Sequence, residues 1–238
     1  MPDNDPRIIL ALDFADEQSV QSLVEQIKPS QCRLKVGKEL FTRFGPALVR
    51  QLVNRGFDVF LDLKYHDIPN TVAQACLAAA DLGVWMLNVH ALGGQRMLVA
   101  AREALDKLQT PPLLIAVTIL TSMDDDDLQS IGINGTAHDA ALRLAALAQQ
   151  SGLDGVVCSA LEATSMRERF GAEFHLVTPG IRTEQDSSHD QRRVMTPVKA
   201  VQAGSHFLVM GRAITGADNP ADKLIEINKT LQACKNPN

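Results

Sequence analysis

The sequence predicts an α/β chain folded as a (β/α)8 TIM barrel, a single domain over residues 1–238, and three observations carry that expectation. Eight short apolar runs rich in branched residues alternate with longer stretches whose apolar positions recur at helical spacing. Four junctions repeat one grammar of helix, glycine and strand: Arg55-Gly56-Phe57, Leu82-Gly83-Val84, Ser151-Gly152-Leu153 and Ala203-Gly204-Ser205. A glycine there supplies the left-handed cap that turns the chain back into the sheet. The length of 238 residues also suits such a barrel. The competing architecture is an open doubly wound sheet, which a G-x-G-x-x-G turn after the first strand would favour. Asp13 is followed instead by Phe14-Ala15-Asp16-Glu17, a helix start without a phosphate cradle.

In chain order the expected strands are Ile8–Asp13, Cys32–Val36, Asp58–Lys64, Trp85–His90, Leu113–Leu120, Gly155–Ser159, Phe174–Thr178 and Phe207–Gly211. Helical spacing is read in Glu17–Ile27, Ala47–Arg55, Thr71–Leu82 and Asp139–Ser151. In this fold the C-terminal strand ends build the active site and the N-terminal ends serve stability, so charges are sorted by strand end. Asp13 closes the first strand, and Lys35 lies late in the second, between Leu34 and Val36. Asp62 and Lys64 close the third, with Asp67 in the loop beyond. A strand's period of two sends Asp62 and Lys64 to one face, with Phe60 beneath them inside the barrel.

A purely structural salt-bridge network is the alternative reading of these charges. It explains poorly why they should terminate several apolar strands. An array of alternating sign tolerates burial, and the catalytic end of the fold is where such an array belongs. His66 and His90 are weaker candidates. His90 ends the fourth strand and could orient a ligand, although a supporting hydrogen bond is the favoured reading. The lone Trp85 is read as core, and no combination of His, Asp and Cys has metal-site spacing.

Strands seven and eight carry a different signal. Thr178-Pro179-Gly180-Ile181-Arg182 follows the seventh and Val209-Met210-Gly211-Arg212 closes the eighth. Loops at these two positions frequently bind phosphate in this fold. Gly180 and Gly211 would let the backbone approach an anion, and Arg182 and Arg212 can grip its oxygens in bidentate fashion. The polar, aperiodic stretch Thr183–Arg193 is either a surface excursion or a lid. Its position favours a lid, with Gln191 reaching the ligand on closure.

Composition narrows the classes further. The net charge of −5, without a basic tract, argues against nucleic-acid binding. The polar start Met1-Pro2-Asp3-Asn4-Asp5-Pro6 has no signal-peptide pattern, and no run approaches the roughly 18 apolar residues of a membrane span. Cys32, Cys76, Cys158 and Cys234 are scattered, which fits reduced thiols in a cytoplasmic enzyme. Asp124-Asp125-Asp126-Asp127 suggests a metal cluster at first sight, but consecutive carboxylates rarely converge on one ion, and a helix start is favoured.

With these residues placed, the sequence resembles the orotidine 5′-phosphate decarboxylases, from Ala11-Leu12-Asp13 to Val209-Met210-Gly211-Arg212-Ala213-Ile214. The strongest element is Asp62-Leu63-Lys64-Tyr65-His66-Asp67-Ile68-Pro69-Asn70-Thr71, which matches that family's D-x-K-x-x-D signature. Thr118-Ile119-Leu120-Thr121-Ser122 and Thr178-Pro179-Gly180-Ile181-Arg182 match further segments. The resemblance implies a cofactor-free homodimer acting on a small-molecule pyrimidine nucleotide, with active sites at the shared interface and no metal. It makes Lys64 the proton donor within a catalytic array of Lys35, Asp62, Lys64 and Asp67. It has Asp67 and Thr71 reach the neighbouring subunit's site, Asp13 and Lys35 hold the ribose, and Thr121 contact the pyrimidine. It gives Arg182, Gln191, Gly211 and Arg212 the 5′-phosphate region.

The signature alone is also similar to that of 3-keto-gulonate 6-phosphate decarboxylase and hexulose phosphate synthase, which use magnesium. Those relatives carry an acidic residue at the second-strand position. Lys35 stands there in this chain, and a cation repels a divalent ion, which favours the metal-free nucleotide enzyme.

Overall fold

Apolar strands rich in branched residues need cover on both faces. In the computed structural model, which describes residues 5–182 and 195–234, they find it in a closed parallel barrel. The strands are β1 (Ile8–Ala11), β2 (Arg33–Gly37), β3 (Val59–Tyr65), β4 (Met86–His90), β5 (Leu113–Val117), β6 (Gly155–Val157), β7 (His175–Thr178) and β8 (Phe207–Met210). They pair in sequence order, and β8 returns to β1 with Ile8 beside Leu208 and Leu10 beside Met210, so no edge is left open. Around them run α1 (Glu17–Val24), α2 (Lys38–Asn54), α3 (Pro69–Ala80), α4 (Gln95–Leu105), α5 (Asp125–Ser130), α6 (Ala137–Gln150), α7 (Ala163–Phe170), α8 (Pro197–Gln202), α9 (Arg212–Thr215) and α10 (Pro220–Ala233). Among the described residues no helix is long and apolar enough to cross a membrane.

Alternation along the strands divides the apolar residues between two cores. Ile9, Phe60, Met86, Ile115, Val177 and Phe207 point into the barrel and pack on one another. Their neighbours Leu10, Leu34, Leu61, Leu87, Leu114 and Leu208 face outward and join the larger cluster under the helices. The N-terminal end of the barrel is closed by Arg33. Its guanidinium lies 4.1 Å from the Trp85 ring centroid and 4.9 Å from that of Phe207, and it pairs with Asp58 at 3.1 Å and with Asp5. Stacking and pairing together make burial of this cation tolerable. Trp85 is accordingly the half-buried rim of the inner core rather than its centre.

Several boundaries differ from the expected ones, each for a local reason. The glycines of the four repeated junctions, Gly56, Gly83, Gly152 and Gly204, all take positive φ, as the cap requires. Helix α2 begins at Lys38 rather than near Ala47; Gly45 (φ 63°) and Pro46 interrupt it and hide the continuity of its first turns. Strand β5 ends at Val117 instead of Leu120, and just beyond it both the N–H (3.3 Å) and the hydroxyl (3.0 Å) of Thr118 donate to the Val157 carbonyl. Strands β1 and β8 also stop short, which puts Asp13 and Gly211 beyond the strands at the C-terminal rim. The aspartate run starts α5 as expected: the Asp124 side chain accepts from the Asp127 N–H and the Asp127 side chain from the Asp124 N–H, both at 3.1 Å.

Gly155 leaves no room for a side chain between neighbouring strands. A Cβ there would stand 2.2 Å from the His175 carbonyl oxygen, so β6 and β7 close against each other only without one. Gly155→Ala is expected to lower the chemical-denaturation stability by about 1–3 kcal/mol, the usual cost of overpacking, read as a fall in the urea midpoint.

Candidate active site

The ladder between β3 and β4 breaks at one point. Leu61 pairs with Leu87 and Tyr65 with Val89, so Asp62, Leu63 and Lys64 all lie against Asn88 alone. Within this bulge Lys64 has φ 54°, the sole positive value at a non-glycine residue among those described. A left-handed backbone costs a residue with a Cβ about 1–2 kcal/mol. Asn88 supplies the bonds that the ladder no longer makes: its Oδ1 accepts from the Lys64 N–H (2.8 Å) and its Nδ2 donates to Asp62 Oδ1 (2.7 Å). Asp62 and Lys64 still face the barrel mouth, while Leu63 and Tyr65 pack on the outer core.

Four charges of alternating sign follow. Lys64 Nζ donates to Asp62 Oδ1 at 2.6 Å. Lys35 Nζ stands 3.4 Å from Asp62 Oδ2 and 3.5 Å from Asp13 Oδ1. Burial pushes the Asp62 carboxyl toward the neutral form, but the Lys35 and Lys64 ammonium groups, with hydrogen bonds from Lys64 and Asn88, outweigh it and hold its pKa below the ordinary value. Asp62 is therefore a carboxylate at neutral pH despite its burial. Gly37 leaves the space that Lys35 needs, since a Cβ there would come within 3.1 Å of Lys35 Nζ.

The array forms one wall of a cavity of about 270 Å³ at the C-terminal rim. Phe60, Val117, Val157 and Val209 give it apolar lining. Thr121, from the loop after β5, and Gly180, Arg182, Gly211 and Arg212, from the segments after β7 and β8, complete it. Of the residues anticipated from sequence, Asp13, Lys35, Asp62, Lys64, Thr121, Arg182, Gly211 and Arg212 thus share one cavity. Gly211 packs against the first strand, where a Cβ would meet Asp13 Oδ2 at 3.3 Å. Gly180 takes φ 80°, and the neighbouring Ile181 bridges to Met195.

Two anticipated residues are not brought there. Asp67 is exposed, and its Oδ1 accepts from the Ile68 N–H at 2.6 Å. Thr71 is exposed in the first turn of α3. Gln191 and the rest of Thr183–Arg193 lie outside the described residues. His90 does not line the cavity either. Its Nδ1 accepts from the Leu92 N–H (3.4 Å) and its ring stacks on His66 with centroids 5.4 Å apart. Burial, then His66, Lys64 and Lys38, push its pKa down to about 4, so it is neutral at physiological pH and serves as the supporting hydrogen-bond acceptor.

Sequence reasoning passed over Asn88. The signal was present: a wholly buried amide inside the apolar run Met86-Leu87-Asn88-Val89, two residues before the histidine that drew attention instead. A second space of about 210 Å³, lined by Lys35, Lys38, Glu39 and Lys64 among others, adjoins the array on its β2 side.

Comparison with known proteins bears on the same span. A family model described as "Orotidine 5'-phosphate decarboxylase / HUMPS family" matches residues 6–227. A curated protein of Sodalis glossinidius named orotidine 5′-phosphate decarboxylase is 60% identical over 226 residues, covering 94% of this chain and 90% of the relative. One of the same name from Vibrio cholerae is 57% identical, covering 96% and 99%. Among solved structures, the orotidine 5′-phosphate decarboxylase of Lactobacillus acidophilus superposes with a TM-score of 0.85 at 37% identity, covering 95% of this chain and 99% of that one. A closed barrel with an Asp–Lys array at its rim, matched in fold and over nearly its whole length in sequence, makes this chain a member of the orotidine 5′-phosphate decarboxylase / HUMPS family.

Proposed function

We propose that the protein decarboxylates orotidine 5′-phosphate to uridine 5′-phosphate in de novo pyrimidine nucleotide synthesis. The observation that carries this reading within the family is Lys35. Its ammonium stands 3.4 Å from Asp62 and 3.5 Å from Asp13, and a cation between these two carboxylates disfavours a divalent ion there. Two ammonium groups around one buried carboxylate suit a reaction that develops negative charge on carbon, without a metal or an organic cofactor as electron sink.

Removing the carboxyl group breaks its bond to pyrimidine carbon six and leaves the electron pair on that carbon as carbon dioxide departs. The Lys64 ammonium is the proton donor: it stabilises the developing carbanion and then transfers a proton to it. Asp62 fixes the direction of that ammonium and faces the departing carboxylate. Asp13 and Lys35 hold the ribose hydroxyls, and Thr121 contacts the base. The 5′-phosphate lies between Gly180, Arg182, Gly211 and Arg212, with Gln191 closing over it. Binding energy from this remote group then serves the chemistry at carbon six.

The reading includes a homodimer with shared active sites. Asp67 and Thr71 are exposed next to Ile68 (67% exposed) on the rim of the barrel, with Leu92 (41% exposed) after β4. Apolar side chains this open are suited to an interface. The space beside the array, where Lys35, Lys38 and Lys64 stand among Asp13, Glu39 and Asp62, is where the partner subunit's Asp67 would enter.

Loss of absorbance from orotidine 5′-phosphate, with and without a chelator, tests the assignment; turnover that survives the chelator is expected, and turnover abolished by it would favour a magnesium-dependent sugar-phosphate enzyme. Lys64→Ala should lose nearly all turnover while still binding uridine 5′-phosphate in a calorimetric titration. A variant near wild-type rate would remove Lys64 as the donor. Arg212→Ala should lower kcat/KM for the phosphorylated substrate and scarcely affect the unphosphorylated nucleoside, whereas equal losses on both would count against a phosphate role.

A further inference from the structure

We propose that Asn88 is a positioning residue for the reaction: its side-chain amide holds the Lys64 backbone in the left-handed conformation that aims the ammonium. The inference rests on the reading of Lys64 as proton donor and adds the group that sets its direction.

The β3–β4 register leaves three residues of one strand facing a single residue of the other. The bulge therefore strands a backbone N–H at Lys64 in a region where unpaired donors are costly. Asn88, wholly buried, answers both needs at that point. Its Oδ1 accepts from the Lys64 N–H at 2.8 Å, and its Nδ2 donates to Asp62 Oδ1 at 2.7 Å. The amide orientation follows from chemistry, because an N–H can only donate and an ionised carboxylate can only accept. No other side chain of this length both accepts and donates without changing its protonation. Leucine fills the space with neither bond, and aspartate makes the second bond only while protonated.

The consequence is a closed unit. The Lys64 backbone is tied to Asn88, Asn88 to Asp62, and Asp62 to the Lys64 ammonium at 2.6 Å. Lys64 is thus fixed at both ends, by its amide and by its Nζ. Without the Asn88 bond, the ordinary right-handed or extended conformations become available to Lys64, and each would carry the ammonium away from the reacting carbon. A misplacement of about 1 Å at a reacting group can cost on the order of a hundredfold in rate. Groups facing Asn88 are Asp62 and Lys64 from β3, Lys35 from β2 beyond Asp62, and His90 on its own strand; the paired β5 segment offers Ile115 and Val117, which do not titrate.

Two variants and one structure test this. Asn88→Ser should lower kcat at least about tenfold, roughly 1.4 kcal/mol in the barrier, with KM and uridine 5′-phosphate affinity changed less than threefold. Asn88→Asp keeps the acceptor for Lys64 but sets a second carboxyl against Asp62. Its kcat should be highest at acid pH, where the new carboxyl is protonated and donates as the amide did, and should fall as pH rises and that proton leaves. A merely structural role predicts an unchanged pH profile, with losses following thermal stability. An Asn88→Ser enzyme of wild-type kcat, or an Asn88→Asp enzyme with the wild-type pH profile, overturns the inference. A crystal structure of Asn88→Ser decides the point without substrate: Lys64 leaves positive φ or its Nζ leaves Asp62 if the inference holds, and both remain in place if it fails. Absence of orotidine 5′-phosphate turnover by the unaltered protein would instead sink the functional reading, and the crystallographic result would stand apart from it.

Discussion

The whole rim depends on the Asp62 carboxylate remaining charged where burial alone would neutralise it. Burial disfavours its charged form. It stays ionised because two ammonium groups stand within reach, that of Lys64 at 2.6 Å and that of Lys35 at 3.4 Å. At an effective dielectric near 20, a pair about 4 Å apart gains on the order of 4 kcal/mol, enough to offset partial desolvation but not the loss of a partner. The array is consequently cooperative. Removing Asp62 would leave the Lys64 ammonium without its bonded carboxylate, so the geometry of the array is fixed by its own electrostatics. Phe60 and the valines lining the cavity serve the same end by limiting the water that would screen these charges.

Strand β2 shows how one fold separates this machinery from its own stability. Arg33 and Lys35 are two residues apart on the same inward face. The arginine seals the N-terminal end against Trp85 and Phe207, where a planar cation can stack, and the lysine faces Asp62 and Asp13 at the other end, where a point charge is needed. Between them lies the apolar plug of Ile9, Phe60, Met86, Ile115 and Val177. Chemistry at the rim can therefore vary without disturbing the seal at the base.

Much of this was legible in the sequence because it rests on short-range pattern. Alternating apolar runs and the glycine junctions were enough for the barrel; strand-end charges collected Asp13, Lys35, Asp62 and Lys64, and the Gly–Arg pairs after strands seven and eight added Arg182, Gly211 and Arg212, all at one cavity. What escaped depends on register between strands. The bulge opposite Asn88 has no local signature, since Asp62-Leu63-Lys64-Tyr65 reads as an ordinary alternating strand and a left-handed lysine cannot be inferred from its own type. Helix α2 was shortened for a related reason: Gly45 and Pro46 look like an end, whereas tertiary packing of Leu40, Leu48 and Leu52 carries the helix across the kink. Thr71, and the reach of Asp67 into a second subunit, came from resemblance alone, and one chain's geometry leaves both residues exposed.

The backbone at Lys64 expresses a conflict between what folding prefers and what the site requires. At φ 54° a glycine would relieve the strain, yet a glycine has no ammonium. An ordinary strand conformation would also relieve it, but the ladder would then run straight through Asn88, and the Asp62–Lys64 contact would rest on side-chain rotamers alone. The strain is held by groups that are themselves overdetermined: Asn88 by two hydrogen bonds, and Asp62 by two ammonium groups and an amide. Local strain persists where its surroundings leave no alternative, and here those surroundings are Asn88 and the charged array. The same bonds that make the conformation tolerable also remove the rotational freedom that a four-carbon side chain would otherwise keep. A flexible lysine thereby becomes a directed one.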